Sequence, residues 1–130
     1  MPKYSIPLML DASLDYAKNN CDEMRVCSSD VMTTGEPDIT KIQGASALTG
    51  AIGMALGDFT YADGDVSGRK ATVAAKNNQN ITASGDAEHV VLIDSTGPEV
   101  LYITTCTLQT LTNGNQVSIP AWDIEFRDPA

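Results

Sequence analysis

The sequence predicts a mainly β protein: an antiparallel sandwich or barrel-like domain of jelly-roll type, carrying one N-terminal helix. Three observations point there. Apolar and β-branched residues recur at period two between Ala87 and Phe126. Turn signals built on Gly, Asn, Asp and Pro return about every 8–12 residues through the second half, as in sandwiches and barrels. Only one stretch, near the N-terminus, has helical spacing.

That stretch is YSIPLMLDASLDYAKNNCD, where Leu10, Leu14, Ala17 and Cys21 fall on one face, Pro7 suits the first turn and Asn19-Asn20 supplies a stop. An arm and helix over residues 1–21 are expected to pack on, or extend from, a single domain spanning 1–130. EMRVCS follows as a short strand, with Met24, Val26 and Ser28 alternating against Arg25 and Cys27. Residues 29–43 show no periodicity and read as the longest loop, a place where binding or assembly contacts concentrate.

GASALTGAIGMALG can be read as helix or strand. Gly50, Gly53 and Gly57 would each cost about 1 kcal/mol in a helix interior, so a strand over 48–56 is favoured. Further strands are expected at 59–61, at 70–75, where Ala71, Val73 and Ala75 share a face, and around Ile81, with turns at Asp63-Gly64-Asp65, Ser67-Gly68 and Ser84-Gly85. The C-terminal stretch reads as a three-stranded meander, AEHVVLID, VLYITTCTL and QVSIPAWDIEF. In its first strand His89, Val91 and Ile93 oppose Val90, Leu92 and Asp94. The expected core is Leu14, Val26, Val73, Val91, Ile93, Leu101, Ile103, Val117, Ile119, Trp122 and Ile124.

Composition narrows the function. Hydrophobic residues make up 42% of the 130 but aromatics only 5%, so the core is aliphatic and thin, and a thin core suits a protein completed by neighbours. The net charge of −9, from 17 acidic against 8 basic residues with no basic cluster, leaves nothing to displace counterions from a phosphate backbone; no nucleic-acid partner is expected. The apolar run Ile6 to Leu10 is broken by Pro7 and is too short for a signal peptide or a membrane span, so synthesis in a cytoplasm and no membrane partner are expected.

No constellation of side chains announces a reaction. Cys21, Cys27 and Cys106 are odd in number and match no zinc spacing, with His89 the only histidine, and they read as small buried hydrophobes. A nucleophilic pair of Cys27 or Cys106 with His89 is the competing reading. His89 has no G-x-S-x-G elbow to serve and reads as a strand residue. Asp58, Asp63, Asp65 and Asp86 could supply oxygens to Ca²⁺, but the loop lacks the EF-hand pattern and Asp-Gly is ordinary turn chemistry. No cofactor, metal or catalytic residue is assigned, and the chain is not expected to be an enzyme.

Four segments carry a family likeness: Gly68-Arg69-Lys70; Ser84-Gly85 with Ala87 to Asp94; Leu101 to Thr107; and Gly114-Asn115 through Pro120-Ala121-Trp122-Asp123-Ile124-Glu125 to Asp128-Pro129. Together they resemble small virion-associated proteins encoded in the structural region of tailed bacteriophages and prophages. The helix followed by Arg25-Val26-Cys27-Ser28 matches more loosely.

The resemblance implies a structural role in the virion. Foremost is a capsid decoration (cement) protein that bridges neighbouring shell subunits, with the major capsid protein or other virion proteins as partners and a homo-oligomer, a trimer by preference, as its form. The alternative is a tail, neck or fibre-base component, or a small host-surface adhesin; the lack of extended repeats favours decoration. Inter-subunit contacts are expected from the N-terminal arm (Met1, Lys3, Tyr4, Ile6), the long loop (Val31, Met32, Ile39) and the C-terminus (Arg127, Ala130), because termini and long loops stay unordered unless something ties them down.

Overall fold

The computed structural model describes residues 7–126. Helix α1 (Pro7–Asn20) starts at the proline, whose missing N–H costs nothing in a first turn. Leu14 is its buried anchor. Two acidic residues one turn apart tie the helix down: Asp11 accepts from Arg69 Nε at 2.9 Å, and Asp15 accepts from the Tyr61 hydroxyl. At its last residue, Asn20 Nδ2 donates to the Tyr16 carbonyl at 2.8 Å.

The first layer is a four-stranded antiparallel sheet in the order β4-β1-β8-β9, formed by β1 (Glu23–Cys27), β4 (Ile52–Gly53), β8 (Gly85–Asp94) and β9 (Glu99–Leu111). The expected strand at Glu23 to Cys27 lies between β4 and β8, with Val26 opposite Val90 and Cys27 opposite His89. β8 and β9 form the hairpin anticipated from their alternation, with irregularities between Ala87 and His89 and between Leu92 and Ile93. Gly85 opens β8 against Leu48, where a Cβ would stand 2.9 Å from Leu48 Cδ2.

The second layer comprises β11-β6-β5, from β5 (Phe59–Asp63), β6 (Arg69–Val73) and β11 (Trp122–Phe126), and the pair β10-β7, from β7 (Lys76–Asn80) and β10 (Gln116–Ile119). Side chains from both layers meet in one core: Met24, Val26, Val90 and Leu92 from the first, Phe59, Ala71, Val73, Ile119 and Ile124 from the second, with Leu14 of α1. The fold is mainly β with antiparallel sheets and one main helix near the N-terminus, as the alternation predicts. The sheets stay open, so the barrel-like form is not the one adopted.

Three strand expectations need correction. The strand expected around Ile81 lies just before it, as β7 over Lys76–Asn80, and Ile81 itself makes only an isolated bridge to Thr49. The third meander strand does not pair with β9. It breaks at Pro120, which has no N–H for a ladder; the half before it joins β7 and the half after it joins β6. Residues 48–56 form no continuous strand. They contribute only the two-residue β4, an isolated bridge from Thr49 to Ile81 and, just before them, another from Cys27 to Ala47. Glycine at 50 and 53 weakens any longer ladder there.

The long loop is also more ordered than its sequence suggests. It folds into the hairpin β2 (Met32–Thr33) and β3 (Glu36–Pro37), then the single-turn helix α2 (Ile39–Ile42). Thr34 and Gly35 both take positive φ, 49° and 81°, the geometry of a two-residue hairpin turn. Asp38 caps α2 by accepting from the N–H groups of Thr40 and Lys41. This third layer lies on the outer face of the first sheet, where Val31 and Ile42 bury Cys27, Val91 and Ile93.

Leu14, Val26, Val73, Val91, Ile93, Ile119 and Ile124 are buried as expected. Leu101, Ile103, Val117 and Trp122 are only half-buried and pack against the margins of the core: the first three lie on β9 and β10, where the covering layers run out, and Trp122 lies at the start of β11.

Candidate functional site

β9 is left largely uncovered by the other layers. Of its thirteen residues only Leu111 is buried. Ile103 sits opposite Val91 and Val100 opposite Ile93, so both share the outer face of the sheet with those buried partners. The third layer stops short of covering them. What remains is a groove of about 510 Å³ between the β2–β3 hairpin and β9, walled by Val31, Met32 and Pro37 on one side and by Val100 to Ile103 on the other, with His89 between. Because Leu101 and Tyr102 line it together with Val100 and Ile103, the groove wraps over the edge of the strand. A neighbouring depression continues it past Ile39, Pro98 and Glu36.

Local chemistry holds the hairpin wall in place. Lys41 Nζ donates to Asp30 Oδ1 at 2.9 Å and to the Met32 carbonyl at 3.2 Å. Thr33 Oγ1 donates to Asp38 Oδ2 at 2.7 Å, and this hydrogen bond, ahead of the backbone donors of Lys41 and Thr40, holds the Asp38 carboxyl below the usual range. Ser46 Oγ donates to the Asp30 carbonyl. Beneath, the buried Glu23 carboxylate accepts from Arg25 Nε and, at 3.3 Å, from Gln43 Nε2. That network fastens the strand under the hairpin to the turn after α2.

His89 faces the groove with one nitrogen committed: Nδ1 donates to the Ser28 carbonyl at 3.0 Å. Cys27 is its cross-strand neighbour, so the sheet does bring together one of the two sulfur–imidazole pairs considered from sequence. The sulfur is spent elsewhere. Cys27 Sγ donates to the Ile42 carbonyl at 3.7 Å, and burial pushes its thiol up to about 12. Burial likewise raises Cys21 to about 11, and Cys106 is raised by the same cause. A thiol held protonated is no nucleophile at neutral pH.

The aspartates are taken up by cations and caps. Asp63 Oδ1 accepts from Arg69 Nη1 at 2.8 Å and Asp65 Oδ1 from Lys70 Nζ at 2.8 Å, while Lys70 also reaches Asp123. Asp58 accepts from the Ala55 N–H and from Lys76 Nζ, and these outweigh the upward push of its partial burial, so its carboxyl is held below the usual range. Asp86 accepts from Thr110 Oγ1. Among the described residues no group of three or more His, Cys, Asp or Glu side chains is placed to hold a metal ion.

Of the expected contact residues, Met32 is 42% exposed at the groove mouth and Ile39 is half-buried beside it. Val31, the residue before β2, is 2% exposed in the single chain and belongs to the core under the hairpin, at the floor of the groove. Met1, Lys3, Tyr4, Ile6, Arg127 and Ala130 lie outside the described residues.

Nothing among protein-family models, curated proteins or solved structures matches this chain.

Sequence reading missed Pro37, Val100 and Tyr102 as groove walls. A signal for the last two was present: from Val100 to Trp122 no Asp, Glu, Lys or Arg occurs, although 19% of the chain is charged. Trp122, placed in the core from sequence, packs at its margin and stacks on Tyr102 across the layers, ring centroids 6.0 Å apart, with its Nε1 buried and unpaired.

Proposed function

We propose that this chain is a structural protein of a tailed-phage particle, acting as a head decoration protein that bridges shell subunits. The sequence resemblance supplies the virion. The observation that carries the binding role is the uncharged apolar groove running over the edge of β9, with its hairpin wall held by Lys41, Asp38 and Asp30. A surface of that kind can accept a neighbouring protein by burying Met32, Pro37, Val100 and Ile103 without desolvating a charge. Many copies, each with a modest interface, add up across a shell by avidity. The commitment of Cys27 to Ile42 and of His89 Nδ1 to Ser28 supports a binding role over a catalytic one.

The deciding experiment is the copy number of the chain relative to the major capsid protein in purified particles, by quantitative mass spectrometry. A ratio near that of the shell subunit is expected. A ratio lower by an order of magnitude would move the protein to the tail or neck, and absence from particles would discard the structural reading altogether.

A further inference from the structure

Of the seven asparagines in the chain, only Asn113 is followed by glycine. The pair occupies the turn from β9 to β10, closed by the Asn115 N–H on the Thr112 carbonyl at 3.1 Å. Gly114 stands third in that turn at φ 95°, the geometry of a type II turn, which glycine adopts without strain. Asn113 is exposed, and among the described residues no hydrogen bond holds its carboxamide, whereas Asn20 and Asn80 use theirs on Tyr16 and Gln116. Nothing crowds Gly114 either: a Cβ there would meet no atom within 4 Å. A glycine nitrogen in open space and an unengaged side-chain amide one residue before it are the two parts of an intramolecular acyl transfer.

We infer that Asn113 is a site of self-deamidation, and that the hydrogen bonds tethering its turn set the rate. In the reaction the Gly114 nitrogen gives up its proton and bonds to Asn113 Cγ; the Cγ–Nδ2 bond breaks and ammonia leaves, closing a cyclic imide. Water then opens the imide. Opening at the side-chain carbonyl leaves aspartate, and opening at the main-chain carbonyl leaves isoaspartate, with an extra methylene in the backbone. Nothing is oxidised or reduced, and water is the only co-reactant. The folded turn opposes the first step. Gly114 N–H donates to the Ile81 carbonyl at 3.1 Å, Ile81 N–H to the Asn115 carbonyl at 2.9 Å, and Asn113 N–H to Ser84 Oγ at 2.9 Å. With the glycine nitrogen held toward Ile81, attack on Cγ requires the peptide plane to rotate, so the reaction proceeds from the opened turn. Either product puts a carboxylate into the stretch from Val100 to Trp122, which otherwise has no charged side chain, and adds to a net charge of −9. The extra backbone atom of isoaspartate also breaks the register of Gly114 and Asn115 with Ile81. Both changes are permanent, so the turn records the time the chain has spent open at this place. The inference rests on the turn itself and does not depend on a virion role.

Peptide mass mapping of the full chain over time, incubated in mildly alkaline buffer with and without guanidinium chloride, tests this. Exchange of amide for acid is expected at Asn113 ahead of every other asparagine, giving two products that separate by chromatography, aspartate and isoaspartate. The folded chain should react about ten-fold more slowly than the unfolded one, because only the open fraction of turns reacts. Ser84→Ala removes one tether at an exposed position; it should raise the folded rate several-fold, leave the unfolded rate unchanged and keep the circular dichroism spectrum. Should Ser84→Ala fail to fold, the two wild-type rates decide. No exchange at Asn113, another asparagine reacting first, equal folded and unfolded rates, or a folded Ser84→Ala protein with the wild-type rate would each overturn the inference.

Discussion

β8 and β9 are neighbours in one sheet, joined by one turn, and they live in different solvents. β8 is buried on both faces along Val90, Val91, Leu92 and Ile93, whereas β9 exposes most of its length, including Leu108 at 58%. Their β propensities are alike, so propensity does not explain the difference. What differs is cover. The inner face of β8 meets the second layer and its outer face meets Val31 and Ile42, while the hairpin ends before it reaches β9. Stability is therefore concentrated in one strand and an accessible surface is left on the next.

The comparison is broken most severely by truncating its buried side. Leu92 is fully buried, so Leu92→Ala should destabilise by about 3–4 kcal/mol through lost transfer energy and the cavity left behind. Leu108→Ala, on the exposed strand, should stay within about 0.5 kcal/mol. Urea unfolding monitored by circular dichroism checks both. Equal losses would mean that β9 is covered in solution along its whole length.

A second test compares the ion pairs of the two sides. Glu23 and Arg25 are shielded, with side chains 9% and 16% exposed, so Glu23→Ala leaves a guanidinium without its partner and should cost about 3 kcal/mol. Asp65 pairs with Lys70 at the surface, 66% exposed, and Asp65→Ala should cost less than about 1 kcal/mol. A Glu23→Ala protein as stable as wild type would show that the turn after α2 stays in place without its carboxylate clamp.

Much of the sheet was legible from sequence because its signals are local. The continuous run Val90 to Ile93 marks a strand buried on both faces, and the alternation around it fixes the β8–β9 hairpin. The partners of the last strand were not legible. Val117 and Ile119 fall at odd positions while Trp122 and Ile124 fall at even ones, and that change of phase at Pro120 marks the switch from β7 to β6 without naming either strand. The hairpin in the long loop was hidden for another reason. Two-residue strands have no period, and Thr34 at positive φ is an uncommon choice for its turn. The groove escaped because it depends on where a covering layer ends, which is a property of tertiary distance and of no single segment.

The third test leaves stability almost untouched and reads the same contrast through sulfur. Cys27 belongs to β1, on the buried side of β8, and Cys106 belongs to β9. With its thiol pushed up to about 12 by burial, Cys27 is held protonated at pH 8, and its side chain is fully buried in the folded chain. Cys106 is also raised, yet it is partly exposed beside Val117 and Pro120. Iodoacetamide at pH 8 should therefore label Cys106 first, with Cys21 and Cys27 reacting only as the protein unfolds; peptide mass mapping over time separates the three. Prior labelling of Cys106 should leave the urea midpoint nearly unchanged, since that side chain lies at the margin of the core. Early labelling of Cys27 would mean that the layer over β1 opens readily, and the buried half of the contrast would then rest on a cover that comes and goes.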